Sequence, residues 1–205
     1  MLISLDSIVK KYDMKIHGVF HIGAHYGQES EFYDAQNISD IIYFEPQKHV
    51  FDILREKVKS GKFFNIALGN EKQKMKMFTE QANQGMSSSL LKPGIHVTQY
   101  PHIVFNGYED VDVDTLDNVV KENNLSSTIN MIVMDVQGFE LNVLKGGIET
   151  LKQIDYVYTE VNRAEVYENC TKVEQLDEFL SGFTRVETDW VGSTWGDAVY
   201  IRKIV

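Results

Sequence analysis

Within residues 18–69, three short apolar runs, GVFHIG, DIIYFEP and KFFNIALG, alternate with two segments of helical spacing. That alternation constrains the fold more than any other feature of the chain. QESEFYDAQN (28–37) reads as a short helix. HVFDILREKVKSG (49–61) carries apolar residues at 50, 51, 54 and 58, one face of a helix with Gly61 as its expected C-cap. Each crossover is long enough for a helix, so the runs it joins are expected to lie parallel. Strand–helix alternation of this kind gives an open α/β sheet with helices on both faces.

The pattern continues beyond residue 69 with one interruption. KMKMFTE (74–80) alternates as an antiparallel or edge strand does. Residues 81–110 hold two of the three prolines, Pro93 and Pro101, with short apolar pieces among serine and glycine. They are expected to form a long loop or lid with one strand; loops of this length are usually functional or disordered. VDVDTLDNVVKENNL (111–125) then gives a strand and a helix, with Asp114 or Thr115 near the N-cap. INMIVMD (129–135) is nearly all apolar, as a strand at the centre of a parallel sheet should be. FELNVLKGGIETLKQI (139–154) reads as a helix that Gly146 and Gly147 break, kink or pack closely. DYVYTEV (155–161) is a strand, KVEQLDEFLSGF (172–183) a helix ending at Gly182, and the tail two strands joined through VGSTWG as a hairpin.

A length of 205 residues is expected to give one domain, 1–205, with 81–110 as an insertion serving as lid or acceptor wall. The net charge of −10 comes without a basic cluster, which disfavours a nucleic-acid partner through long-range repulsion. A single cysteine, Cys170, excludes an intramolecular disulfide and a CxxC site, and fits a cytoplasmic protein. No apolar run reaches the roughly 18 residues of a membrane span. MLISLDSIVKKYDMK has no long apolar core and no small-residue cleavage pattern, so no signal peptide is expected. Nothing in the pattern speaks to oligomeric state.

In an open α/β sheet, ligands bind at the carboxyl ends of the strands. Those ends carry His21, Gly23, Ala24, His25 and Gly27, then Glu45 and Pro46, then Asn65, Ile66, Ala67 and Gly69. Further on come Asp135, Gln137, Gly138 and Glu140, and finally Glu160, Asn162 and Arg163. Glycines let a backbone approach a ligand closely. A carboxylate at the second strand end can accept from both hydroxyls of a ribose. Small apolar groups at the third can flank an adenine. The set points to an adenosine-containing ligand. The glycines are spaced GxxxG and not GxGxxG, and no GxxxxGK[ST] is present, so neither a dinucleotide nor a P-loop phosphate site is supported. S-adenosylmethionine has no phosphate. Its amino-acid end needs mixed donors and acceptors, which His21, His25 and Asp135 can supply.

HIGAHYGQES (21–30), YFEPQKHVFDIL (43–54), NIALGN (65–70), SSSL (87–90), DVDTLD (112–117), MDVQGFELNVLKGG (134–147), YTEV (158–161) and GDAVYIR (196–202) occur in this order along nearly the whole chain. Together they resemble the FkbM family of S-adenosylmethionine-dependent methyltransferases. The resemblance implies a class I methyltransferase (Rossmann-like) fold, a mostly parallel seven-stranded sheet with one antiparallel strand from the tail hairpin and helices on both faces. It implies methyl transfer to a hydroxyl of a small acceptor, most readily a sugar or glycan, with S-adenosylhomocysteine as product. Gly23, Ala24 and Gly27 would line the methionine part, Glu45 with Pro46 the ribose, and Ile66 and Ala67 the adenine. Asp135, with Val136 and Gln137 of the same motif, would sit by the methionyl ammonium or the reacting centre. Family members often have aspartate where this chain has His21, a departure that leaves open how the cofactor's amino group is held.

A sugar hydroxyl is a poor nucleophile, and a base within hydrogen-bond reach helps it. Asp135, Glu140, Glu160 and His21 are the candidates. Ser87, Ser88 and Ser89, with Gln137 and Glu160, are the expected acceptor contacts. No metal-ligand motif stands out. Plainer roles compete: Asp135 as a turn cap, Glu140 as a first-turn acid at a helix dipole, Glu160 as a loop carboxylate, His21 as a core histidine and His25 as a helix cap. His96 and His102 read as surface residues, and Trp190 and Trp195 as packing residues whose faces could also stack on a sugar. The competing functions are a cofactor-binding module without catalysis and, disfavoured by the missing GxGxxG, a nicotinamide-dependent oxidoreductase.

Overall fold

The computed structural model describes residues 1–203; the last two residues of the expected 1–205 span lie outside the described residues. In chain order the elements are α1 (Leu5–Lys11), β1 (Gly18–Ile22), α2 (Ser30–Ala35), β2 (Asp40–Phe44), α3 (Lys48–Lys57), β3 (Lys62–Phe64) and β4 (Ala67–Leu68). There follow β5 (Gln73–Glu80), α4 (His96–Gln99), β6 (Phe105–Asp114), α5 (Leu116–Glu122), β7 (Met131–Met134), α6 (Glu140–Lys145) and α7 (Ile148–Leu151). The chain closes with β8 (Tyr156–Asn162), α8 (Val173–Phe179), β9 (Phe183–Val191) and β10 (Trp195–Arg202).

Seven strands form one sheet in the order β3-β2-β1-β7-β8-β10-β9. β1 pairs parallel with β2 and β7, β2 with β3, and β7 with β8. β10 runs antiparallel to both of its neighbours, so it is the one reversed strand of the expected sheet. Alternate side chains of the central strands feed two cores. Phe20, Ile22, Ile42, Phe44, Ile132 and Met134 pack with residues of α5, α6 and α8 on one face. Val19, Ile41, Tyr43, Met131 and Val133 pack with residues of α1, α2 and α3 on the other. The period-two alternation of strand side chains thus explains why these runs are apolar at every position: both faces are covered.

Several boundaries differ from the sequence reading. The first 17 residues, assigned no element above, contain α1; Ser4 caps it by accepting from the Ser7 N–H, and Leu5 and Ile8 are its buried face. α3 stops at Lys57 with Val58 as its C-cap, so Gly61 lies beyond the helix, in a turn against the Ile41 carbonyl. KFFNIALG is two strands. The Asn65 side chain donates to the carbonyls of Glu45 and Pro46, both at 2.9 Å, and the chain leaves the main sheet there. Ala67–Leu68 then pairs parallel with β6 in a second, three-stranded sheet, order β4-β6-β5. The helix over 139–154 breaks at Gly146 into α6 and α7, and Gly146 sits so close to the Gly69 carbonyl that a Cβ would be 1.9 Å from it. α8 ends at Phe179, before Gly182. Within 81–110, β6 begins at Phe105 and pairs antiparallel with β5, so the irregular stretch ends sooner than its composition suggests. No helix among the described residues is long and apolar enough to cross a membrane.

Candidate active site

The turns after β1, β2 and β7 are tied together. The N–H groups of Gly23 and Ala24 both donate to the Phe44 carbonyl, at 2.9 and 3.0 Å. Gly23 has φ +72°, and a Cβ there would lie 1.9 Å from the Asp135 carbonyl oxygen. Only glycine satisfies both the left-handed backbone and the contact. Above these turns lies a cavity of about 490 Å³, within the usual range of small-molecule sites.

Most of the expected residues line this cavity: His21, Gly23, Ala24, His25, Glu45, Pro46, Ile66, Ala67, Ser87, Ser88, Asp135, Val136, Gln137 and Glu160. Three do not. Gly27 turns the chain behind the site, where its Cα faces Leu54 and Val58 of the α3 region. Glu140 is fully buried under the β7 turn, with Oε1 accepting from the Gly138 N–H at 2.9 Å and Oε2 without a partner. That contact fixes it as a support for the turn and removes it from the expected set of bases. Ser89 spends its hydroxyl on the Gln137 carbonyl, at 2.8 Å, and joins the 81–110 segment to the β7 turn from outside the cavity.

Glu45 is buried at the end of β2. Its Oε2 accepts from the His25 N–H at 3.0 Å and its Oε1 from the Gln47 N–H at 2.9 Å. Burial pushes its pKa up to about 7 despite these hydrogen bonds. His25, at φ +47°, also joins two segments through its ring: Nδ1 lies 2.8 Å from the Gln28 amide and Nε2 2.9 Å from the Gln84 carbonyl. With the amide donating to Nδ1, the ring proton falls on Nε2, which donates to Gln84.

His21 sits between the cavity and the core. Its Nδ1 is 3.3 Å from the Tyr33 hydroxyl, its Nε2 is 3.6 Å from a Glu29 oxygen, and its ring packs against Tyr33 and Tyr43. Burial lowers its pKa below the ordinary value, with Glu29 and Asp135 opposing that shift.

The turn after β7 builds a clamp. Gln137 adopts φ +53°, costly for a residue with a side chain. Its Nε2 donates to Asp135 Oδ1 and to Glu160 Oε2, each at 2.7 Å, while its Oε1 accepts from the Tyr167 hydroxyl at 2.6 Å. The same hydroxyl lies 2.9 Å from the Ser87 carbonyl, so its one proton is shared between two acceptors. Burial, then the nearby carboxylates Asp135, Glu140 and Asp197, raise the Glu160 pKa far above the usual range. Asp197, on the reversed strand β10, also lines the cavity; it accepts from the Tyr158 hydroxyl at 2.7 Å and from the Leu2 N–H. Asp197 and Tyr167 were not among the expected site residues. The sequence carried one signal for Asp197, its place in the GDAVYIR block, and none for Tyr167. Trp195 lines the cavity too, whereas Trp190 lies under the Arg163 guanidinium, 3.7 Å from the ring centroid.

Carboxyl groups dominate the side chains of the lining, and the Met1 amino group acts on His21 and Asp197. Glu29, Glu45, Asp135, Glu160 and Asp197 contribute carboxyl groups, and among the described residues no lysine or arginine side chain lines the cavity. No group of three or more His, Cys, Asp or Glu among the described residues is arranged to hold a metal ion.

The sheet order, its single reversed strand and a cavity at the carboxyl ends of β1, β2 and β7 define a class I methyltransferase fold. The chain belongs to the FkbM family: the methyltransferase FkbM domain matches residues 21–186. It is similar to the 2-O-methyltransferase NoeI of Sinorhizobium fredii, 27% identical over 177 residues, covering 82% of this chain and 72% of that one. Solved structures share the fold at low identity. Fibrillarin in its complex with Nop5p has a TM-score of 0.54 at 14% identity, over 96% of this chain and 79% of that one. The ribosomal protein L11 methylase of Lactobacillus delbrueckii subsp. bulgaricus has a TM-score of 0.52 at 8% identity, over 96% of this chain and 75% of that one. A SAM-dependent methyltransferase from Aquifex aeolicus aligns with a TM-score of 0.50 at 11% identity, over 97% of this chain and 89% of that one.

Proposed function

We propose that the protein is an S-adenosylmethionine-dependent O-methyltransferase acting on a hydroxyl of a small acceptor, a sugar or glycan, through a single domain in which part of 81–110 forms the acceptor wall. The observation that carries this reading is the cavity lined by five carboxyl side chains with no lysine or arginine among the described residues. A pyrophosphate in such a site would meet no lysine or arginine to balance its charge. A ligand bearing an ammonium and a sulfonium meets opposite charge, and the cavity of about 490 Å³ has room for it. The 2-O-methyltransferase name of the NoeI relative supports oxygen as the methylated atom.

Bound S-adenosylmethionine supplies a methyl carbon open to in-line displacement by the acceptor oxygen. Glu45 accepts the ribose hydroxyls, Pro46, Ile66 and Ala67 flank the base, and the Gly23–Ala24 turn with His25 takes the amino-acid end. Asp135 and Glu160 face the reacting region through the Gln137 amide, with Ser87 and Ser88 on the acceptor side. Of the expected bases, Glu140 lies outside the cavity, His21 is engaged with Tyr33 and Glu29, and both Glu160 oxygens accept from amides, of Gln137 at 2.7 Å and of Asn162 at 3.2 Å. Asp135 remains as the group that takes the acceptor's proton. The test is a screen of methyl glycosides of hexoses and deoxyhexoses with S-adenosylmethionine, read by homocysteine release after hydrolysis of S-adenosylhomocysteine. Turnover of at least one sugar supports the reading. Binding of cofactor with no turnover of any hydroxylated acceptor would favour the non-catalytic module.

A pH dependence follows from Glu45. Its pKa is raised from 4.5 to about 7 in the free protein, and ribose hydroxyls donate more strongly to the ionised form. Binding therefore lowers that pKa and releases a proton. Affinity for S-adenosylhomocysteine is expected to be about tenfold greater at pH 8 than at pH 6, measured by calorimetry in buffers of differing ionisation enthalpy. Glu45→Gln should bind weakly with that dependence flattened. In the free protein the same shift has the opposite consequence: stability declines as pH rises from 4.5 through about 7, because the folded state holds the proton longer than the unfolded chain does.

A further inference from the structure

His96, read from the sequence as a surface residue, is only 4% exposed and lines the cavity. Its position is fixed from both directions. The Gly94 and His96 N–H groups donate to the Val166 carbonyl at 2.9 and 3.1 Å, and the Ile95 N–H donates to the Glu165 carbonyl at 3.0 Å. This part of the 81–110 segment is therefore stitched to the chain that follows β8. The imidazole is packed among the rings of Tyr100, Phe105 and Tyr167, with centroids 5.1, 5.2 and 5.5 Å away. Tyr167 in turn holds Gln137 and, through it, Asp135 and Glu160. Tyr100 and Trp195 line the same end of the site and are joined by a hydrogen bond from the indole N–H to the Tyr100 hydroxyl, at 2.9 Å.

The ring's polar atoms are not used by the protein. Nδ1 is fully buried without a hydrogen-bond partner, so the open polar edge of the ring is the Nε2 edge. A buried polar group left unsatisfied costs about 1–3 kcal/mol. The state of the ring can be argued from Nδ1. With the proton on Nε2, only a lone pair is buried among the aromatic rings. With both nitrogens protonated, a charged N–H would be buried there with no acceptor, the more costly arrangement. Burial lowers the His96 pKa in keeping with this, against an opposing pull from Glu80 and with a small further push from His102. An imidazole that resists protonation is a poor general base and a good neutral donor.

We propose that His96 is a specificity-determining residue, whose Nε2–H donates to an oxygen of the acceptor while the Tyr100 and Trp195 rings face the acceptor's apolar surface. The donor beside aromatic faces suits a sugar, which presents oxygens at its edge and C–H groups on its face. The inference rests on the methyltransferase reading above and names the residue that selects the acceptor.

The test uses the acceptor from the methyl glycoside screen that gives the fastest wild-type turnover. His96→Phe fills the space without the donor, and His96→Gln places an amide N–H near the position of Nε2. For His96→Phe, the acceptor KM is expected to rise about 10–30-fold, while kcat stays within threefold and the S-adenosylhomocysteine Kd within twofold of wild type. His96→Gln should recover most of the lost KM. A turnover rate that drops about 100-fold or more at unchanged KM, and that glutamine does not recover, would make His96 a base and overturn the proposal. An unchanged KM, or a lowered melting temperature with parallel loss of S-adenosylhomocysteine binding, would overturn it in favour of packing. A wild-type protein that methylates no glycoside overturns the parent reading and this one with it, a result separable from a failure at His96 alone.

Discussion

Replacing Glu45 with alanine is expected to raise the dissociation constant for S-adenosylhomocysteine by about 100-fold, equivalent to about 2.7 kcal/mol. The side chain is buried at the end of β2 and lines the cavity, and its carboxyl group is held by the N–H groups of His25 and Gln47. Two ribose hydroxyls donating to it are worth about 1–1.5 kcal/mol each. Alanine loses both and leaves two turn N–H groups without their acceptor. Glu160→Ala, at the far side of the Gln137 clamp, should cost less than about fivefold in the same calorimetric titration, because its hydrogen bonds run to Gln137 and Asn162. Equal losses for the two variants would contradict the assignment of the ribose to β2. A melting curve for each variant separates lost binding from lost folding.

Gln137→Leu is expected to lower turnover by about 100-fold while changing the S-adenosylhomocysteine Kd by less than about fivefold. Gln137 is the shared donor to Asp135 and Glu160 and lies beside the Tyr167 hydroxyl. Without it, the two carboxyl groups lose the N–H that bridges them. Asp135 is then no longer held in one orientation toward the acceptor's hydroxyl. Tyr167→Phe removes one contact to the amide and leaves its bonds to the carboxyl groups, so its loss of turnover should be smaller, about tenfold. Single-turnover kinetics with the best glycoside acceptor measure both. Unchanged turnover in Gln137→Leu would remove the clamp from the mechanism.

The sheet was legible because its strands are buried on both faces. GVFHI, DIIYF and MIVM are apolar at almost every position, and helical spacing between them left little choice of topology. β6 was half hidden because its FNGYED portion alternates at the surface with polar and glycine residues, without an apolar face to mark it. The split of KFFNIALG depends on Asn65 reaching two carbonyls of a different strand end, a contact no local pattern encodes. The cavity residues on the turns after β1, β2 and β7 were equally legible as a group, since they follow strand ends whose order the alternation fixes. Other parts of the cavity lining were not. His96, Tyr100, Tyr167 and Asp197 are scattered along the chain, and only folding brings them to one cavity or its wall. The aromatic packing that buries His96 uses Phe105 and Tyr167, which are distant from each other in sequence. Gly27 and Glu140 show the converse: motif residues at the right strand ends that turn or brace the loops without reaching the cavity.

Calorimetric titration of the folded protein with S-adenosylhomocysteine, beside a parallel titration with NADH, tests the central claim most directly. One saturable site for S-adenosylhomocysteine, tighter at pH 8 than at pH 6 and with no saturable heat from NADH, is the predicted result. Saturable NADH binding in the absence of any S-adenosylhomocysteine heat at high micromolar concentration would contradict it.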